Sequence, residues 1–359
     1  MLLLISFSPC PHGLNVNKES KFIKNKEWDR GNNASVPSFL SFIVNKNNFE
    51  HRKDFLLEKD IIIYFKLIKK EMREILQAIV NGILLGGIYS LIAIGLSLIW
   101  GVMRIINWAH GAMVMLSMYI TFFAYSMFKL DPLLSLPLVA VIMFVIGYLL
   151  QMVLVERTLN SPWISRLCAT FGLMMLLESL ALLVWSSNWR AIPVTYGTWT
   201  FCIGGIFISF SRFVAFSIAL LMALALHLFL NHTESGKAIK ATAQDREAAA
   251  LMGININNIY RITFGLGLAA TGVAGASLMT FYFVFPTVGF PFALTAYIVC
   301  VLGGLGRLNG AVLGGLIIGI AQSVSAYLIS PEYKMVVSFV IFLAVLYFKP
   351  GGIFGGVSE

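Results

Sequence analysis

Residues 262–306 read ITFGLGLAATGVAGASLMTFYFVFPTVGFPFALTAYIVCVLGGLG, and no charged side chain interrupts them between Arg261 and Arg307. Drawn as one helix rising about 1.5 Å per residue, these 45 residues would extend roughly twice the ~30 Å thickness of a bilayer's hydrocarbon. The stretch must therefore hold two crossings. Inside hydrocarbon every backbone amide needs an internal partner, which leaves helices or a closed barrel. The Leu, Ile, Ala and Gly runs lack the alternation of barrel strands, so the prediction is helical.

The rest of the chain repeats the pattern. Charge is absent between Glu74 and Arg104, Arg104 and Lys129, Asp131 and Glu156, and Arg212 and Glu234. Over 359 residues, 58% are hydrophobic and 12% charged, about half the ~25% of soluble globular chains, which argues against a water-soluble fold. The net charge of +9 sits singly at the ends of apolar runs, which reads as membrane topology and not as a nucleic-acid surface. Cys10, Cys168, Cys202 and Cys300 have no paired or metal-ligand spacing, so no metal and no cofactor are expected. Residues 1–71 hold 12 of the 26 Lys and Arg and fit neither a domain nor a signal peptide. They are read as a poorly structured extension or a mis-called start, with a membrane domain over 72–355.

Candidate membrane segments lie near 75–100, 107–128, 133–155, 167–186, 212–231, 259–283, 290–305, 311–329 and 335–348, an all-α polytopic transmembrane bundle of about 8–10 helices. Segments one and two flank Arg104 and have the look of broken or re-entrant helices. The largest polar insertion, 232–261, carries Lys237, Lys240, Arg246 and Arg261, which assigns it to the cytoplasm. Alternation then puts Arg157, Arg166, Arg307 and the Lys349 tail inside, and Lys129, Asp131 and the stretch 188–209 outside.

That insertion contains ESGKAIKATAQDREAAALMGI (234–254), helical in composition, with Gly253 where a C-terminal cap belongs. A short, small-sided helix between two membrane helices suits a docking element, and an ordinary solvated loop is the plainer alternative. Glu247-Ala248-Ala249, three residues, then Gly253 is similar to the EAA motif of bacterial import permeases. The string ATAQDREAAALMGI (241–254), with Asp245 and Arg246, resembles the branched-chain amino-acid permeases, the H-type subunit of the leucine, isoleucine and valine uptake system. VNGILLGGIYSLIAIGLSLIWG (80–101), INWAHG (106–111), VLGGLGRLNGAVLGGLIIG (301–319) and KPGGIFG (349–355) extend the likeness from Met72 to Gly355. Thr295 stands where the resemblance leads one to expect a lysine.

The resemblance implies an ATP-binding-cassette importer permease in a bacterial inner membrane. It would work with a second, M-type permease, two cytoplasmic ATPases docked on the loop, and an extracytoplasmic binding protein. Related permeases for urea, amides or other amino acids remain the alternative, and a secondary transporter or channel a more distant one. No enzymatic role is expected: Thr233–Lys237 lacks the Gly and the Ser or Thr of a phosphate loop, with Asn231 and Ala238 in their places.

Within the membrane runs, Asn107 and His110 share a helix face beside Gly111 and are pathway candidates, as is Glu178, a carboxylate within LMMLLESLALLVW. A packing role for each is the alternative. Gly306, Gly310 and Gly314, and Gly315 with Gly319, recur every four residues, the spacing that lets membrane helices approach closely.

Overall fold

The computed structural model describes residues 57–159, 161–349, 351–353 and 355. The sequence reading of residues 1–56 lies outside them. Contacts divide the chain into two units, Met1–Met72 and Arg73–Glu359. Of the first, residues 57–72 are helical and belong to α1 (Leu57–Met103), which therefore begins well before position 75. Good helix formers among the charges at 58–71 carry the helix through a segment too polar to be read as membrane.

The second unit continues with α2 (His110–Phe128), α3 (Leu136–Thr158) and α4 (Trp163–Trp185), then α5 (Phe210–His232). Next come α6 (Glu234–Gln244), α7 (Arg246–Leu251) and α8 (Ile256–Leu278), then α9 (Gly289–Gly303), α10 (Leu308–Leu328) and α11 (Lys334–Phe348). Among the described residues, eight helices are long and apolar enough to cross a membrane, and α9 is a shorter apolar helix. The chain is a polytopic helical membrane protein. Two local features lack a sequence signal: a π-helical turn at Gln151–Val155 in α3, and a hairpin of β1 (Thr200–Ile203) and β2 (Ile206–Ser209) between α4 and α5.

Side-chain contacts sort the helix ends into two sets. At one end Gln77 exchanges two hydrogen bonds with the Phe207 backbone, Tyr327 donates to Glu74, Tyr196 donates to Asp131, and Arg190 pairs with Val284. Burial and the Asp131 carboxylate that Tyr196 bonds push the Tyr196 phenol above its ordinary pKa, which keeps it a donor. At the other end, the loop end, Arg261 holds Glu156 through two bonds of 2.9 and 3.1 Å, and Ile353 N–H returns to the Leu302 carbonyl.

α1 and α8 are the inner helices, with 89% and 83% of their apolar windows buried, against 17% for α4 and 6% for the segment containing α11. Lipid chains are as apolar as leucine, so these helices associate by close packing at small residues. On α1, a Cβ at Gly82 would sit 2.6 Å from Ile320 Cα and one at Gly86 2.8 Å from the Gly315 oxygen; on α10, one at Gly319 would sit 2.6 Å from Gly86 N. Gly95 of α1 meets Gly267 of α8 in the same way.

One architectural order occurs twice. A long inner helix, a non-helical break, a helix starting inside the bundle and two further helices form α1–α4, and again α8–α11. α1 packs on α10 through glycines, and α8 packs on α3 through Gly265 against Gly147, with a Cβ–Cα approach of 2.9 Å. Since α1 runs toward the loop end and α8 away from it, the halves are inverted relative to each other.

The first break is Arg104–Ala109. Arg104 ends α1 at φ +50°, and Ile105, Asn107 and Ala109 are buried. The chain returns toward the bundle centre, because His110 Nε2 lies 3.0 Å from the carbonyl of Ile92, about 16 Å back along α1 from Met103. Side chains from other helices serve this buried backbone, as an apolar solvent demands. Thr170 Oγ1 of α4 donates to the Ile106 carbonyl at 3.1 Å and accepts from Trp108 N–H at 3.4 Å, and Tyr297 OH of α9 donates to the Asn107 carbonyl at 2.5 Å. The second break, 279–288, descends from the opposite end to Gly289, whose Cβ would overlap the Gly111 carbonyl.

Two outcomes follow for thermal unfolding in detergent. Gly319→Val drives two methyl groups into the α1 backbone and lowers stability by about 1–3 kcal/mol, whereas Gly172→Ala on α4, with nothing within 4 Å of the new Cβ, is neutral or slightly stabilising. Thr170→Val keeps the shape but strips the break of its partner, at about 1–3 kcal/mol, and an unchanged melting temperature refutes that role.

Candidate functional site

Two places bring functional groups together. The first is the junction where α2 and α9 begin, deep in the bundle. No side chain caps α2, whose N-terminal dipole end therefore faces the break. Around it, Asn107 is fully buried with neither amide atom hydrogen-bonded, Trp108 Nε1 is likewise unpartnered, and so is His110 Nδ1. The other His110 nitrogen, Nε2, faces the Ile92 carbonyl, which only accepts, so Nε2 carries the proton and Nδ1 is the free acceptor. Thr271, 3.2 Å from the same nitrogen, sends its own proton to the Gly267 carbonyl.

Asn107, His110 and Gly111 are thus brought together, and Gly111 is the point of contact with α9. Trp108 and Tyr297 join them without having been singled out from the sequence; a Tyr spaced far along the chain carries no local signal. Glu178 lies half-buried on α4, and no hydrogen bond or ion pair ties it to this cluster. Thr295 is buried and bonds only its own helix, through the Pro291 carbonyl.

The second place is the loop end. The expected single helix there is two, because Asp245 breaks it: its backbone is extended, and its Oδ1 accepts from Glu247 N–H and Ala248 N–H at 2.9 and 3.0 Å, capping α7. Thr233 and Asn255 cap α6 and α8 in the same manner. α7 ends in a left-handed Gly253 at φ +85°, with Gly253 N–H on the Ala250 carbonyl and Ile254 N–H on the Ala249 carbonyl, the paired closure of a Schellman motif.

The loop is anchored on its inner side and open on its outer side. Ile239 of α6 and Ala249 of α7 are buried, and the Arg246 guanidinium stands over the Tyr260 ring at 6.0 Å. Glu247, Ala248 and Gly253 are exposed, and Leu251 and Met252 are 89% and 82% exposed. The loop thus presents a capped tip with two bare apolar side chains.

Of the remaining glycines, Gly306 meets Gly101 of α1, Gly310 meets Gly303 of α9, Gly314 approaches the Val299 carbonyl, and Gly315 packs on Ser90. Among the described residues no group of three His, Cys, Asp or Glu side chains has a metal-binding arrangement.

Comparison with known proteins bears on the whole arrangement. Residues 78–346 match the family described as branched-chain amino acid transport system / permease component. The high-affinity branched-chain amino acid transport system permease protein BraD of Pseudomonas aeruginosa is 34% identical over 298 residues, covering 79% of this chain and 97% of its own. LivH of Escherichia coli, which bears the same description, is 35% identical over 293 residues, covering 78% and 95%. A shorter likeness, 36% over 132 residues, links 34% of this chain to 41% of the ribose import permease protein RbsC of Escherichia coli. No solved structure matches. With the family matched over most of its length and two such relatives nearly fully covered, the chain belongs to the permease components of branched-chain amino acid transport systems.

Proposed function

We propose that this chain is the transmembrane permease subunit of an ATP-binding-cassette importer for leucine, isoleucine and valine in a bacterial inner membrane. The observation that carries the reading is the exposed tip of α7, capped at both ends and presenting Leu251 and Met252. The loop end gathers Arg104, Arg157, Arg166, Lys237, Lys240, Arg246, Arg261, Arg307 and Lys349, a concentration of positive charge that supports a cytoplasmic assignment for the loop and the C-terminal tail. The unit from Met72 to Gly355 then acts as one permease domain with 232–261 as its coupling loop.

In this reading two cytoplasmic ATPases seat on the loop, a second permease of the M type completes the pathway, and a binding protein delivers substrate at the opposite end. Asp245 and Gly253 hold the tip in shape, Arg246 and Ala249 tie it to α8, and Glu247 and Ala248 meet the ATPase. Nucleotide-driven displacement of the tip passes through Ile239 into the bundle and rocks the membrane helices between outward and inward access. The chemistry of ATP hydrolysis belongs to the partners. Asn107, His110 and Gly111 offer a polar, dipole-lined point for the charged head of an amino acid as the pathway opens. Glu178, remote from them, is the weaker pathway residue. Gly306, Gly310, Gly314, Gly315 and Gly319 hold the helices together.

A second reading rests on the partial likeness to a ribose permease: the scaffold serves more than one solute, so urea, amides or other amino acids are the competing cargo. A secondary transporter or channel would have no use for a capped docking tip.

Reconstitution with the ATPase subunits tests both. Labelled leucine is expected to accumulate with ATP and urea is not; the reverse result replaces the cargo. Gly253→Val strains the left-handed turn while leaving the bundle untouched, since no atom lies within 4 Å of its Cβ position. Uptake should fall at least ten-fold with the helical content and melting temperature of the membrane domain preserved. Full uptake in that variant, or purification without any nucleotide-hydrolysing subunit, overturns the importer assignment.

A further inference from the structure

We infer that the cavity between α1, α5, α6 and α10 is a binding site for an anionic phospholipid of the leaflet at the loop end. The cavity measures about 520 Å³, within the range of small-ligand sites. Its lining divides by polarity. Leu98, Val102, Leu230 and Ile239 form a buried apolar wall, while His227, Lys240 and Arg307 stand exposed on it.

This division matches a glycerophospholipid, whose acyl segment takes the apolar wall and whose phosphate takes the cationic rim. The height also matches, because α1 ends at Met103, α5 at His232 and α10 begins at Leu308, so the cavity lies where hydrocarbon gives way to headgroups. Arg307 and the N-terminus of the 21-residue α10 add a backbone dipole of the sign that attracts phosphate. Lys240 Nζ is steered over α5 by its bond to Asn231 and keeps further N–H donors for a ligand. At the inner limit Ser97 Oγ, fully buried and without a partner, lies in the wall, a hydroxyl for which an ester oxygen is a fitting partner.

The site matters to coupling because Ile239, Lys240 and Ala243 belong to α6, the first helix of the loop, while Leu98 and Val102 belong to the inner helix α1. A lipid seated there fills the joint between them. The inference goes beyond the transport reading and takes from it only the assembled complex; binding is read without transport, so the two fail separately.

The test uses the assembled complex, equilibrated in nanodiscs with equal phosphatidylglycerol and phosphatidylcholine, extracted mildly and weighed by native mass spectrometry. Phosphatidylglycerol should be retained over phosphatidylcholine, and the double variant Lys240→Gln with Arg307→Gln should reduce that retention roughly ten-fold. Ala243→Phe, which fills the apolar part and leaves every charge in place, should reduce it as well, so that loss does not rest on a charge change alone. Intact assembly of each variant is checked in the same spectra. Equal retention of the two lipids, or undiminished phosphatidylglycerol in both variants, overturns the inference. So does displacement of the lipid by excess inorganic phosphate, which marks a simple anion site, or by leucine, which assigns the cavity to the transported solute.

Discussion

A peptide group left without a partner in hydrocarbon costs several kcal/mol, and the centre of this protein is organised around that penalty. Two stretches of non-helical backbone enter the bundle, and each is stable only because other parts of the chain supply what a helix would have supplied. Thr170 and Tyr297 serve the first break from α4 and α9. Arg190 serves the second through its backbone pairing with Val284. The breaks in turn free two helix starts, those of α2 and α9, to lie inside the bundle. A continuous pair of helices would have offered only apolar side chains at that depth.

The glycine contacts answer a related difficulty. With no hydrophobic drive to hold helix to helix, backbone-to-backbone approach supplies the attraction, and it does so along lines that have few alternative registers. α1 and α8 cross at Gly95 and Gly267, and each also packs through small residues on a helix of the other half, α1 on α10 and α8 on α3. All three seams run between the inverted halves, so the repeats are interlocked into one bundle. The capped loop joins α5 to α8 and so touches both the connector and one half.

Much of the fold was legible because a membrane helix is announced by what it lacks. The uncharged gaps alone locate the crossings to within a few residues. The end of the loop helix at Gly253 was also legible, since a glycine closing a helix is local punctuation whose meaning survives without a partner. Asp245 was read as part of one helix, although its capping chemistry divides the segment in two. The early start of α1 was missed because charged residues hide a helix from a hydropathy reading without disfavouring it. At the junction, Asn107 and His110 were visible as odd polar residues in apolar surroundings. Thr170 and Tyr297 were not, because their roles arise from contacts across the chain that no local spacing encodes. The pairing of Gly82 and Gly86 with Gly315 and Gly319 was half visible for the same reason.

The π-helical turn at Gln151–Val155 bears on the loop end in a way that its small size conceals. Wedging one surplus residue into α3 turns everything after it by about 100° about the axis. That turn is what aims the Glu156 carboxylate at Arg261, at the very root of α8. A regular α3 would point the same carboxylate elsewhere, into a membrane surface that has no use for it. The bulge therefore works as a phase adjuster, clocking the outer helix to the inner one where the docking loop rejoins the bundle.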